Sequence, residues 1–363
     1  MSLSSLRTVI VGDALLPTDV IVRAVEELRE RVQVVAALTW GPPDEAEVDR
    51  MALRLEREGP GAESPPVGLG GYVRDADLLI VHYCPVGPAL LDDAAGLRIL
   101  ATCRAGTENI AAEDAIGRQI LVLHVIGRTT EAVSDFTVGL LLAEIRNIAR
   151  ANARLTAGVW DKSFSNSAFT PELEGRTVGI VGFGEVGRAV ARKLSGFRVQ
   201  LLAHDPFLPD EVILRGGAEP ASLSTLLERS DIVTLHARPE PGARPLIGRD
   251  ELSRMKPTAF LINTARAALI DTGALAEALR YGVIAGAALD VHDQEPLGPE
   301  YPLLGLDNVT LTPHLASSTQ DCAEKSPRIL VEDLRSLFEG GLPRYALNPG
   351  LLQEGWRPFA EGP

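Results

Sequence analysis

Residues 176–194, RTVGIVGFGEVGRAVARKL, constrain the fold of this chain more than any other stretch, and they lie at its middle. Residues 176–181 read as a buried strand. Gly182, Gly184 and Gly187 then form G-x-G-x-x-G at the opening of a helix that runs to residue 196. A second apolar run, 199–203, leads to Asp205 about 20 residues past the glycines, which is the spacing of a dinucleotide fingerprint. Gly182 permits the tight turn, Gly184 lets a pyrophosphate approach the backbone, and Gly187 lets helix and strand pack closely. The free N–H groups of Glu185 and Val186 face the anion at the positive helix end. Nucleotide binding is the expectation.

The fingerprint starts a second series of strands and helices rather than the first. Before it, strands are expected at 8–11, 32–38, 78–82, 97–103 and 120–124, with helices between them and a Gly/Pro/Ser-rich loop at 59–71. After it, strands are expected near residues 178, 199, 232, 260, 287 and 309. Such alternation implies parallel sheets covered on both faces. Two long helices, 130–157 and 318–339, flank the second series. A domain complete by Pro313 leaves the last helix without a core of its own, so the economical solution returns it to the first domain. The expected architecture is α/β, with two doubly wound parallel-sheet domains. Residues 1–129 and 314–345 form one domain, and 130–313 an inserted nucleotide-binding domain. A C-terminal tail spans 346–363. The two long helices are the expected crossings, with the active site in the cleft.

Composition bounds the function. At 363 residues the chain has room for two cores. Its net charge of −14 and pI near 5.0, without a Lys/Arg cluster, argue against a nucleic-acid surface. Cys84, Cys103 and Cys322 lack metal-ligand spacing and read as buried, reduced thiols, with no metal expected. No apolar run reaches spanning length and no signal pattern opens the chain, so a soluble, cytoplasmic protein without a membrane partner is expected.

Three polar segments each follow a strand of the second series: Asn263-Thr264-Ala265-Arg266, Asp290-Val291-His292-Asp293-Gln294-Glu295-Pro296, and Thr312-Pro313-His314. Strand C-termini line the ligand crevice of open α/β sheets. An arginine, a carboxylate and a histidine can therefore converge there.

The fingerprint followed by NT(A/S)R, D-V-x-x-x-E-P and T-P-H resembles the NAD-dependent, D-isomer-specific 2-hydroxyacid dehydrogenase family, over residues 7–345. That resemblance implies a flavodoxin-like substrate domain made from both chain ends, 1–129 and 314–345, with an inserted Rossmann NAD-binding domain at 130–313, NAD as cofactor, a 2-hydroxy or 2-keto acid as substrate and a homodimer. It makes Arg266 the residue that grips the substrate carboxylate and polarises the keto oxygen. His314 becomes the acid/base, and Glu295 holds the other imidazole nitrogen. Asp205 would accept from the adenosine ribose hydroxyls and disfavour a 2′-phosphate. Thr264, Ala265 and Asp290 match positions near the nicotinamide, where Asp290 would accept from the carboxamide. Thr129, His236 and Ala237 line the same path. The chain departs from the family at His236-Ala237-Arg238, where HVP or HCP is usual, and at Ser317, where glycine is common.

Arg104, Ala105 and Gly106 match the family loop whose N–H groups hold the substrate carboxylate. R-A-G-T resembles phosphoglycerate dehydrogenases, in which this arginine faces the phosphate, but the expected companion arginine is replaced by His82-Tyr83. Arg104 thus reads either as a reader of a distal anion or as an ion-pair arginine. A different class remains open: an NAD-sensing binding protein like the dehydrogenase-related transcriptional corepressors, which share this fold.

Overall fold

The computed structural model describes residues 5–239, 242–353 and 355–359, and its chain divides into two compact units. One comprises Met1–Arg128 with Thr319–Pro363, the other Thr129–Ser318.

The first unit is built on a parallel sheet of β1 (Leu6–Gly12), β2 (Val32–Thr39), β3 (Leu78–Val81), β4 (Ile99–Thr102) and β5 (Leu121–His124). Their order is β2-β1-β3-β4-β5. β3 and β4 are buried at every residue, as their near-continuous apolar sequences require in a sheet covered on both faces. The winding reverses between β1 and β3, the switch point of a flavodoxin-like sheet. The C-terminal helix Gln320–Phe338 belongs to this unit, where Leu330, Val331, Leu334 and Leu337 join Ile10, Ile21 and Ile80 in one core.

The second unit holds seven parallel strands: β6 (Thr177–Val181), β7 (Gln200–His204), β8 (Glu219–Pro220), β9 (Ile232–Leu235), β10 (Phe260–Asn263), β11 (Gly286–Leu289) and β12 (Val309–Leu311). They are ordered β12-β11-β10-β9-β6-β7-β8. This is the doubly wound order with one further strand, and its switch point lies between β6 and β9.

Three expectations need correction. The long helix at 130–157 is two helices, Thr130–Ile145 and Ile148–Thr156. Asn147 between them is left-handed at φ 55° and buried. A side-chain network sets the break: the buried Glu144 carboxylate receives Arg150 Nη2 at 2.6 and 2.7 Å and Thr310 Oγ1 at 2.6 Å, and Arg150 Nη1 donates to Asn147 Oδ1. The long helices are also not the crossings, because each lies wholly inside one unit and the chain passes between units at 128–129 and 318–319. Finally, residues 345–348, whose last three open the expected tail, run antiparallel along β5. Leu347 N donates to Val122 O, and Asn348 bonds both Val122 N and Ile120 O. An open sheet edge exposes unpaired backbone groups, and this segment covers them. Trp356 and Phe359 then pack on the same core.

Cys84, Cys103 and Cys322 are buried free thiols. Among the described residues no helix is long and apolar enough to cross a membrane, and no cluster of His, Cys, Asp and Glu is arranged to hold a metal.

Candidate active site

The fingerprint turn sits at the β6/β9 switch point. Gly182 has φ +89°, and a Cβ there would lie 2.5 Å from Ala237 N, because the chain leaving β9 passes directly over it. A Cβ on Gly187 would lie 2.2 Å from Gly182 O, so the helix Glu185–Leu194 can rest on the turn only with glycine there. Nothing stands within 4 Å of a Cβ at Gly184, and Gly184 and Glu185 are exposed while Val186 is half-buried. Asp205 is half-buried, its Oδ2 accepting from Phe183 N at 2.8 Å and its Oδ1 from Phe207 N at 3.0 Å. Each carboxylate oxygen keeps further acceptor capacity. Phe207 is 83% exposed, so an apolar ring follows Asp205 rather than a cation. Burial pushes His236 down to about 3, which keeps the ring neutral; Nε2 shares a hydrogen bond with Thr234 Oγ1, and Nδ1 has no partner among the described residues. Open backbone at a helix N-terminus, a terminal carboxylate and an unpartnered ring nitrogen beside the turn fit a bound dinucleotide.

The three polar segments leave adjacent strands in register. Asn263 pairs with Leu289, and Leu289 with Leu311, at the ends of β10, β11 and β12. All three chains therefore emerge at one level of the sheet. Asn263 bridges its own loop, accepting from Ala265 N and donating to Arg266 O, which leaves the Arg266 side chain exposed. Thr264 is buried, its hydroxyl 2.7 Å from Thr137 Oγ1, which itself donates to Val133 O. Thr129 precedes the helix Thr130–Ile145 and is half-buried.

His314 Nδ1 lies 2.8 Å from Glu295 Oε2, and both side chains are partly exposed. Burial works to raise the Glu295 carboxyl. The His314 hydrogen bond, the His292 backbone N–H and the neighbouring imidazole charges outweigh it, so the group lies below the ordinary glutamate range. His314 itself is left-handed, at φ 54°.

Asp290, expected near the nicotinamide, is wholly buried and organises the His314 loop. It accepts from Thr312 Oγ1 at 2.6 Å, Leu315 N at 2.9 Å and Ala316 N at 2.8 Å. Bonds on both sides of His314 curl the loop so that the imidazole stands at its tip. His292, given no role by the sequence reading, ties the second loop to the third: its ring bonds Thr312 O and Tyr301 Oη, and its backbone N–H donates to Glu295 Oε1. The available signal was its place inside D-V-x-x-x-E-P. Asn263 was equally visible as the first residue of N-T-A-R.

In the first unit, Ala105 O bonds His124 Nδ1 and Arg104 O accepts from Val125 N, fixing the loop after β4. A Cβ on Gly106 would collide with the Glu108 carboxylate. Arg104 does not stand free. It is 5% exposed, with Nη2 on Glu56 at 2.5 Å, Nη1 on Asn109 Oδ1 at 3.1 Å and Glu108 at 3.6 Å.

Residues 138–316 match the NAD binding domain of D-isomer specific 2-hydroxyacid dehydrogenases. A glyoxylate reductase of Thermofilum pendens is 40% identical over 284 residues, covering 77% of this chain and 84% of its own. A D-3-phosphoglycerate dehydrogenase of Methanocaldococcus jannaschii is 35% identical over 285 residues, which is 78% of this chain but 54% of that enzyme. Among solved structures, the TT0316 protein from Thermus thermophilus is 33% identical with a TM-score of 0.65, covering 94% of this chain and 99% of that one.

Proposed function

The chain belongs to the D-isomer specific 2-hydroxyacid dehydrogenases and carries their NAD-binding domain, and we propose that it reduces short 2-keto acids to D-2-hydroxy acids with NADH. The observation that carries the reading is the His314–Glu295 bond at the ends of three strands in register. Arg266 grips the substrate carboxylate through its planar fork and polarises the keto oxygen. His314 supplies the proton that the keto oxygen takes up as it becomes a hydroxyl, and Glu295 stabilises the imidazolium beforehand. Bound at the fingerprint, NADH supplies the hydride. Gly182, Gly184, Glu185, Val186 and Gly187 hold the pyrophosphate, Asp205 the ribose, and Thr129, His236, Ala237, Thr264 and Ala265 line the path of the remainder. The corepressor alternative draws no support from the relatives above, whose names are those of enzymes. NADH oxidation with glyoxylate tests the reading, and no turnover of glyoxylate, pyruvate or hydroxypyruvate would overturn it.

Cofactor choice rests on Asp205. A 2′-phosphate would meet its carboxylate with no cation after it, so NADH is expected to exceed NADPH in kcat/KM by at least about tenfold, equivalent to roughly 1.4 kcal/mol. Asp205→Ala should narrow that gap. Equal efficiency of the two cofactors in the wild type contradicts the assignment.

A homodimer accompanies the reading. The helix Ile148–Thr156 buries none of its residues, and Ile148, Leu155, Val159 and Trp160 stand half or more exposed along it and just beyond. Exposed apolar residues grouped in one stretch of chain are unfavourable in water and fit a second copy. Light scattering should give twice the 38.8 kDa chain mass, and Leu155→Glu with Trp160→Glu should give the monomer. A monomeric wild type excludes this interface.

A further inference from the structure

Position 292 is one of the three that the D-V-x-x-x-E-P pattern leaves open, yet in this chain it carries a buried histidine that reaches the acid/base from two sides. Its backbone N–H donates to Glu295 Oε1 at 2.9 Å, while Glu295 Oε2 faces His314 Nδ1 at 2.8 Å. Its ring places Nε2 3.0 Å from Thr312 O. That carbonyl also accepts from His314 N at 3.0 Å, closing the tight turn through Pro313 that delivers the chain to His314. One residue therefore grips both the carboxylate that holds the His314 ring and the carbonyl that bends the His314 backbone.

These bonds fix the His292 tautomer. A carbonyl only accepts, so Nε2 carries the proton, and in the neutral ring Nδ1 keeps a lone pair. Tyr301 Oη lies 3.3 Å from Nδ1, and the two rings meet edge-on with centres 5.5 Å apart. Burial pushes the Tyr301 phenol up to about 12, so it keeps its proton and donates to Nδ1. A ring flip would put carbon where each nitrogen stands and break both bonds, so the pair selects one orientation. The need for such support is visible at His314. At φ 54° it is a non-glycine residue in the left-handed region, a conformation that persists where the surroundings hold the backbone from several sides.

We propose that His292 is a positioning residue for proton transfer: its ring, turned by Tyr301, holds the Thr312 carbonyl and thereby keeps the His314 imidazole on Glu295. The inference rests on the proposed keto acid reduction, in which His314 is the acid/base, and it assigns part of the rate to a buried residue that acts only through His314.

His292→Phe keeps a flat ring of similar size and the backbone N–H to Glu295, but removes the Nε2 donor. NADH oxidation in single turnovers with glyoxylate should slow by about tenfold or more, while KM for glyoxylate and NADH affinity change less than about threefold. The alkaline limb of the reductive pH profile should move to lower pH, because an imidazole free to leave the carboxylate loses part of the help given to its charged form. His292→Gln, whose amide offers an N–H in place of Nε2–H, should recover the rate to within about threefold of wild type. In a His314→Ala background, His292→Phe should cost less than about twofold, since a residue acting through His314 has nothing left to position. Where His292→Phe does not fold, Tyr301→Phe carries the test: losing the donor to Nδ1 should slow the reaction by about threefold or more with a limb shift of the same sign. A full rate, an unmoved alkaline limb, no recovery in His292→Gln, or an equal loss with and without His314 overturns the positioning role and leaves the function standing. Failure of the wild type to reduce any keto acid overturns the function, and this inference with it.

Discussion

Alanine at position 314 is expected to lower kcat for keto acid reduction by about a hundredfold or more, the scale of a lost acid/base, with NADH affinity unchanged. Only His314 among the strand-end residues pairs an imidazole with a carboxylate and remains open to solvent. Stopped-flow binding of NADH together with steady-state turnover separates the two effects, and wild-type turnover in the variant refutes the role. The pH dependence gives an independent check. Reduction needs the imidazolium, so its rate falls as pH rises and the proton is lost. Glu295 stabilises that cation, as its own depressed pKa reflects. In Glu295→Gln the neutral amide gives no such help, and the alkaline limb of the reductive profile should move to lower pH. An unmoved limb would separate Glu295 from the proton step.

Arg266→Ala is expected to cut kcat/KM by roughly a hundred- to a thousandfold, since two charge-assisted hydrogen bonds to a carboxylate are worth about 3–4 kcal/mol together. The loss should fall on both parameters: KM rises because the carboxylate grip is gone, and kcat falls because the keto oxygen is no longer polarised. The Arg266 side chain is exposed and its loop is held by Asn263 rather than by the guanidinium, so the fold should tolerate the change. A change in KM alone would leave Arg266 as a binding residue without a part in polarisation.

Much of the architecture was legible because it is written in short-range pattern. Parallel strands covered on both faces are buried at every residue, so β3, β4, β9 and β10 stand out as near-continuous apolar runs. β8 escaped notice because two residues, Glu219 and Pro220, carry no periodicity. The break at Asn147 escaped because apolar spacing continues through it. What ends the helix is Glu144, held by Arg150 and by Thr310, 166 residues away.

The same division runs through the candidate site. Glycine, arginine, glutamate and histidine were recognisable from residue type, strand-end position and motif order, since the dinucleotide turn and the three polar segments are each local. Asp290 was recognisable as polar, but not as the anchor of the His314 loop, because its partners lie 22 to 26 residues on and meet it only after β11 and β12 align.

By itself the sequence determined two α/β series, a dinucleotide turn and the family, because each is written in motifs whose residues lie close together in the chain. Only the tertiary structure decided that Arg104 is neutralised by Glu56, that Asp13 fixes the tautomer of His82, and that Nε2 is buried without a donor among the described residues. The reason is electrostatic. The charge state and hydrogen-bond capacity of a side chain depend on what lies within a few ångströms of it, and for these residues the neighbours come from 48 and 69 positions away.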